Sequence, residues 1–145
     1  MPNATFKTNP RFWGVGFLVW FIVLCLLSHG DRFHPPLPIG FFDFANSDKV
    51  MHFGFFFGGA GLLAALLHFS RDFSTQELTL IVTIALSIIG VADEFHQSFF
   101  ENRRGNDPGD WFADTLGAFF GTLVFRYTYR FLLKLPNQEN PPQTL

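Results

Sequence analysis

The chain carries four long apolar segments, and ionisable side chains stand directly at their ends. The segments cover residues 12–27, 50–69, 78–99 and 111–135. A helix that crosses a membrane needs about 20 mainly apolar residues, and the second and fourth segments reach that length directly. We therefore predict an all-α, polytopic membrane protein, organised as a compact bundle of four transmembrane helices.

The amino-acid composition supports a membrane protein. Hydrophobic residues make up 48% of the 145 positions, 22 of them Phe, and charged residues only 15%, well below the usual quarter of a soluble domain. The net charge of -2 argues against nucleic-acid binding, which needs a basic face. Cys25 is the only cysteine, so an intramolecular disulfide is impossible. We expect one transmembrane domain over residues 1–135 and a disordered polar tail over 136–145.

The third segment forces charged groups to the edge of the hydrocarbon. Its uninterrupted apolar run, residues 78–92, covers only about 22 Å of a slab roughly 30 Å thick. To cross, this helix must include Asp93, Glu94 and Gln97. A charge in such a place costs about 2.5 to 3.5 kcal/mol on insertion scales, so its default interpretation is functional. We expect these side chains to face the bundle and to find partners there.

The predicted topology brings three charged groups to one face of the membrane. The second helix begins, the third ends and the fourth begins on that face. The candidate site residues are Asp48, Lys49, His52, Asp93, Glu94, Gln97, Arg103, Arg104, Asp107, Asp110 and Asp114. We predict that they form one site.

The Lys and Arg distribution predicts cytoplasmic termini. An even number of spans places both termini on one side, together with Lys7, Arg11, Arg71, Arg126, Arg130 and Lys134. The opposite side holds Arg32, Lys49, Arg103 and Arg104. Three of those four belong to the suspected site, so discounting them strengthens the bias. The candidate site would then lie at the outer face.

Helical spacing suggests pairs within and between the helices. Asp48 and His52 are four apart and could form a pair, and Asp93 stands three and four positions from His96 and Gln97. In the fourth segment Asp110 and Asp114 lie on one stripe above the G-x-x-x-G of Gly117 and Gly121, and Gly54 with Gly58 forms a second such motif. Glycines at this spacing allow helices to approach closely.

The connections between the segments are short or apolar. Residues 70–77 read as a polar link and residues 102–110 as a turn. The longer connection over residues 30–47 contains three Pro and several Phe, and we expect it to lie along the interface or to cap the site.

These motifs resemble those of the VanZ-like membrane proteins. They are Asp48-Lys49-x-x-His52, Asp93-Glu94-x-x-Gln97, and Arg104-x-x-Asp107-x-x-Asp110 followed by Gly117 and Gly121, within residues 12–130. Asp114 departs from the family pattern, which more often has asparagine there. The resemblance implies a bacterial inner-membrane protein, some of whose relatives are linked to teicoplanin resistance. It leaves the molecular reaction open.

Three functional classes remain open. In an enzyme, Asp48, His52, Asp93, Glu94 and Asp110 would be catalytic, and substrate would bind to Lys49, Gln97, Arg103, Arg104, Asp107 and Asp114. The substrate would be a lipid-linked or cell-wall precursor, with membrane lipids as the other partners. In a variant, a divalent metal is held by Asp48, His52, Asp93 and Asp110.

The second class is a binding module that captures an anionic lipid or peptide head group without turnover. The third, a proton-coupled transporter, ranks last because all ionisable groups are expected near one face, leaving the other half of every helix uncharged. Each motif also has a structural alternative. These are a helix cap with a snorkelling Lys49, a buried ion-pair network of Asp93 and Glu94 with Arg103 or Arg104, and an ordinary polar turn.

Overall fold

The computed structural model describes residues 8–29, 46–101 and 105–132, and this part of the chain contains helices and no strands. The helices are α1 (Pro10–Ser28), α2 (Ser47–Ser70), α3 (Thr75–Gln97) and α4 (Pro108–Leu132). The predicted all-α fold is confirmed. Predictions for the connection at residues 30–45 and for the tail at 136–145 lie outside the described residues.

Three of the helices, α1, α2 and α3, are long and apolar enough to cross a membrane. The 23 residues of α3 extend about 35 Å, and they include the three polar positions that the apolar run alone leaves out. α4 is 25 residues long but carries more charge. Its Asp110 and Asp114 are buried, so α4 places these carboxylates inside the bundle.

Side-chain contacts define the direction of each helix. Lys49 meets Asp110 and His68 meets Arg126, so α2 and α4 run parallel. α3 is antiparallel to α4, because Ser87 contacts Thr115 and Thr75 contacts Arg126. Trp20 of α1 donates to the Phe55 carbonyl and Ser28 lies against His96. The beginnings of α2 and α4 and the ends of α1 and α3 therefore share one end of the bundle, named here the polar end.

The closest helix pair is α2 with α4, and two glycines make it possible. A Cβ on Gly117 would collide with the Phe53 carbonyl oxygen, and one on Gly121 with the carbonyl oxygen of Phe57. Close packing at this G-x-x-x-G is confirmed. Around Gly54 and Gly58, by contrast, no described residue lies within 4 Å of an added Cβ. The close approach predicted there is absent from the described residues.

The interior between the helices is apolar and filled with branched and aromatic side chains. Its fully buried members include Phe56, Leu78, Val82 and Leu86. Outward-facing positions such as Leu18, Leu26 and Ile88 are also apolar and remain exposed. An apolar exterior around an apolar interior is typical of a helix bundle that lies in lipid.

Two helix boundaries differ from the predicted ones because capping signals were overlooked. Ser74 Oγ accepts from the Glu77 amide, and the Glu77 carboxylate accepts from the Ser74 amide, which together form a capping box. The helix therefore begins at Thr75, and the predicted link at residues 70–77 is shorter. Pro108 opens α4, a favoured position because its missing N–H needs no partner there.

Candidate functional site

Lys49 connects the two helices that begin at the polar end. It lies in the first turn of α2, and its Nζ donates to Asp110 Oδ1 at 2.9 Å and to Asp107 Oδ2 at 3.1 Å. Asp48 Oδ2 is 3.7 Å away. Three carboxylates therefore surround one ammonium group. Asp110 is almost completely buried, at 6% exposure, so its bond to Lys49 stabilises a carboxylate that has lost most of its water.

Asp107 fixes the beginning of α4, and its neighbours stabilise its charged form. Its Oδ1 accepts from the Gly109 amide at 2.7 Å, and its carbonyl accepts from the Asp110 and Trp111 amides. The Gly109 N–H bond and the neighbouring Lys49 hold the pKa of Asp107 below its usual range. This carboxylate is therefore a fixed negative group at the mouth of the site.

His52 and Asp114 form a pair one turn further into the bundle. His52 Nδ1 lies 2.9 Å from Asp114 Oδ1, and Asp114 is fully buried. Space for Asp114 comes from Gly90 of α3, where an added Cβ would approach Asp114 Oδ2 to 2.8 Å. That Oδ2 has no hydrogen-bond partner among the described residues. The predicted pairing of His52 with Asp48 is wrong, because His52 turns towards α4.

Glu94 links the end of α3 to the segment before α4. Its Oε2 accepts from the Asp107 amide at 2.8 Å, and its carbonyl accepts from the Asn106 amide at 3.2 Å. Asn106 has a φ of 62°, a left-handed conformation that Asn tolerates better than most residues. Glu94 is 4% exposed, and its Oε1 has no partner among the described residues. One oxygen is thus held and the other is available.

Asp93 and Gln97 pair with each other beside these groups. Gln97 Nε2 donates to Asp93 Oδ2 at 2.8 Å, and both side chains are 7% exposed. The predicted pairing at a spacing of four is confirmed. Asp93 does not pair with His96, whose Nδ1 lies 3.3 Å from Ser28 Oγ and whose ring stacks on His29.

The structure therefore brings together most of the residues that the sequence singles out. Asp48 lies at the rim. Six of the others make contacts between the elements, namely Lys49, His52, Glu94, Asp107, Asp110 and Asp114. Arg103 and Arg104 lie outside the described residues, so their predicted roles stay predictions. The roles assigned to the other residues are likewise predictions about chemistry.

Two groups of side chains have the spacing of metal ligands. The first group is His52, Glu94 and Asp110, each with one ligand atom within 4.8 Å of the other two. The second group, with the same spacing, is Asp48, Asp107 and Asp110. The predicted metal set of Asp48, His52, Asp93 and Asp110 is split between these groups. Asp93 belongs to neither, and Glu94 takes its place beside His52.

Gly90 is the position that the sequence prediction missed. It stands three, four and seven residues before Asp93, Glu94 and Gln97, so it lies on the same helix face. A small residue on a face of buried polar side chains indicates close approach of another element. This signal was present in the sequence and would have predicted a close contact at Gly90, which the structure shows to be with Asp114.

The opposite end of the bundle is not free of charge. Arg126 Nε donates to Thr75 Oγ1 at 3.0 Å, and its Nη1 is 3.1 Å from His68 Nδ1. The expectation that the other half of every helix is uncharged is therefore wrong for α4. Because Arg126 is held between α2 and α3, it ties the three helices together at that end.

The architecture defines a class of protein. Four helices with an apolar exterior, three of them long and apolar enough to cross a membrane, enclose charged side chains at one end, and this is the architecture of a helical membrane protein. The chain belongs to the VanZ/LLP1 family, whose sequence model matches residues 5–133. This confirms the family that the motifs indicated, a family associated with teicoplanin resistance. No curated protein and no solved structure matches the chain significantly.

Proposed function

We propose that this protein resides in the inner membrane of a bacterium and acts on the head group of a lipid-linked cell-wall precursor at the outer face. The observation that carries the proposal is the state of Glu94. This carboxylate is 4% exposed, with one oxygen fixed by the Asp107 amide and the other without a hydrogen-bond partner among the described residues. A positioned carboxyl with one oxygen available suits general acid or base chemistry.

The neighbours of Glu94 would share the work. His52, oriented by Asp114 at 2.9 Å, is the second group able to move a proton. Lys49 supplies a cation for a phosphate or carboxylate, and Arg103 and Arg104, predicted from sequence, would add bidentate donors. Substrate would displace Asp107 or Asp110 as a partner of Lys49. Asp93 and Gln97 would keep the end of α3 in register.

The assignment to the outer face and to teicoplanin resistance rests on two supports. The Lys and Arg distribution favours cytoplasmic termini, which turns the polar end outward. The VanZ/LLP1 family is associated with teicoplanin resistance, and teicoplanin acts on cell-wall precursors outside that membrane. A precursor altered at its head group would escape the antibiotic.

Two measurements on the same variants test this proposal. In the first, each variant is expressed in a teicoplanin-susceptible bacterium and the inhibitory concentration of teicoplanin is measured. In the second, the purified protein is incubated with lipid-linked precursor and any product is detected by mass spectrometry. Glu94→Gln should lower turnover by about 100-fold or more, the contribution of general acid–base catalysis, and abolish resistance. Asp72→Asn removes an exposed carboxylate outside the polar end and is the matched control.

The alternative of a binding module gives a different result. Saturable binding of the precursor without any product, with resistance retained in Glu94→Gln, would assign the site to head-group capture. Neither binding nor turnover, and no change in inhibitory concentration, would overturn the proposal.

A further inference from the structure

The side chains of His52, Glu94 and Asp110 come from three different helices and meet at one point. One ligand atom of each lies within 4.8 Å of the other two. Around a cation with ligands at about 2.1 to 2.4 Å, neighbouring ligand atoms stand about 3 Å apart and opposite ones up to about 4.8 Å. The three side chains are already spaced to share one ion without movement of the helices.

Two buried oxygens beside this point lack a hydrogen-bond partner among the described residues. They are Glu94 Oε1 and Asp114 Oδ2, and the two residues are 4% and 0% exposed. Native proteins leave few buried polar atoms unpaired, and an ion is one of the regular explanations. The unpaired Glu94 oxygen belongs to a member of the group itself.

The second carboxylate oxygen and the second ring nitrogen of the other members are also available. Lys49 occupies Oδ1 of Asp110, which leaves the other oxygen of that carboxylate. Asp114 occupies Nδ1 of His52, which leaves Nε2. A carboxylate that holds one nitrogen of an imidazole while the other binds metal is the regular outer-shell arrangement of metal sites.

We propose that His52, Glu94 and Asp110 bind one divalent cation, with Asp114 as the positioning residue behind His52. The two carboxylates suit Mn²⁺, which as a transition metal also accepts an imidazole nitrogen, and water or substrate oxygens would complete the shell. The role of the ion in holding a phosphate-bearing head group rests on the function proposed above. The ion site itself does not.

The ion also accounts for the density of negative charge at the polar end. Six carboxylates of the described residues lie there, and Lys49 pairs with three of them, Asp48, Asp107 and Asp110. Four of the six are buried: Asp93, Glu94, Asp110 and Asp114. Buried carboxylates this close repel one another unless a cation intervenes. A divalent cation would compensate the charge of its two carboxylate ligands, Glu94 and Asp110.

Manganese titration of the purified protein tests the site directly. The metal-free full-length chain in detergent is titrated with Mn²⁺ and free ion is followed by electron paramagnetic resonance. One saturable site is expected, weakened at least about 10-fold in Glu94→Gln and Asp110→Asn, and about 10- to 100-fold in Asp114→Asn. Asp93→Asn is the matched control, because it removes a buried carboxylate next to Glu94 that belongs to neither group, and it should retain the affinity.

The imidazole ligand has its own signature. Bound Mn²⁺ should show nitrogen coupling in electron spin echo spectra, and His52→Ala should remove that coupling while Asp93→Asn preserves it. A folded wild-type protein without saturable Mn²⁺ binding overturns the proposal, as does equal affinity in Glu94→Gln and Asp93→Asn. Because this assay needs no substrate, its outcome is independent of the resistance and turnover measurements.

Discussion

At the scale of single residues, the site depends on what each carboxylate has as a partner. Asp107 and Asp110 have the Lys49 ammonium, and Asp114 has His52. Among the residues that the structure describes, Glu94 has only the Asp107 backbone amide, on one of its two oxygens. The carboxylates that have a charged or ring partner are already engaged in contacts between helices, whereas Glu94 lacks such a partner among the described residues and is the most available for a proton or an ion. Glu94 is therefore the residue on which both proposals converge.

Asp114 should contribute to stability through its hydrogen bond more than through its charge. Asp114→Ala leaves His52 Nδ1 without a partner inside the bundle, which costs about 1 to 3 kcal/mol. Asp114→Asn preserves an acceptor at the same place and should cost less. Unfolding by sodium dodecyl sulfate in mixed micelles measures both. Asp48→Ala, which removes a carboxylate that is 56% exposed in its side chain, is the control and should change little.

Equal destabilisation by Asp114→Ala and Asp114→Asn would contradict this account, because it would make the charge the essential property. The comparison also bears on the VanZ-like pattern, in which asparagine is the more frequent residue at this position.

At the scale of the helices, one glycine pair sets the geometry of the site. Gly117 and Gly121 let α4 approach the backbone of α2, and that approach is what brings Asp110 to Lys49 and Asp114 to His52. Polar contacts of this length cannot form between helices held further apart by side chains. The packing motif and the polar site are thus two parts of the same α2–α4 interface.

Gly117→Ala should damage both the fold and the site. The added methyl group would collide with the Phe53 carbonyl oxygen, and overpacking of this kind costs roughly 1 to 3 kcal/mol. Gly58→Ala meets no described residue within 4 Å and should be neutral or stabilising by up to about 1 kcal/mol. Unfolding in mixed micelles compares the two variants. Similar losses would show that the helix, and not its interface, is sensitive to the substitution.

The helices and the convergence of their polar ends could be predicted from sequence, but the pairings could not. Hydropathy and length give the four segments, and antiparallel succession puts residues 48, 94 and 110 at one end. Which side chains meet depends on the rotation of each helix about its axis. From sequence, His52 could pair with Asp48, four positions earlier in the same helix, as readily as with Asp114 in another helix. The rotation is set by the Gly117 interface and by Gly90, that is, by tertiary packing.

At the scale of the whole molecule, the bundle is polar at one end and tied by Arg126 at the other. Arg126 bonds to Thr75 and lies against His68, so at that end one charged group joins three helices, whereas at the polar end Lys49 joins α2 to the beginning of α4. The apolar exterior between the two ends has no comparable cluster among the described residues. Because the two ends differ, the orientation of the bundle in the membrane decides which compartment supplies its ligand.

Cysteine labelling of spheroplasts should locate the polar end on the outer side of the inner membrane. Two cysteines are introduced separately in a Cys25→Ser background, both at exposed positions. Glu101→Cys places one at the polar end, and Asp72→Cys places the other at the opposite end of the bundle. A maleimide that cannot cross the membrane should label position 101 in spheroplasts and position 72 only after lysis. The reverse pattern would turn the site towards the cytoplasm and exclude an action on precursors outside.

The parallel arrangement of α2 and α4 has a consequence for biosynthesis. Lys49 and Asp110 are 61 positions apart, and all of α3 lies between them. During synthesis Lys49, His52 and Glu94 are made before the residues that pair with them, and polar groups in lipid are stable only with partners. The arrival of α4 supplies Asp107, Asp110 and Asp114 together. Completion of the site and completion of the fold are therefore a single late event, and a chain that ends before α4 has neither.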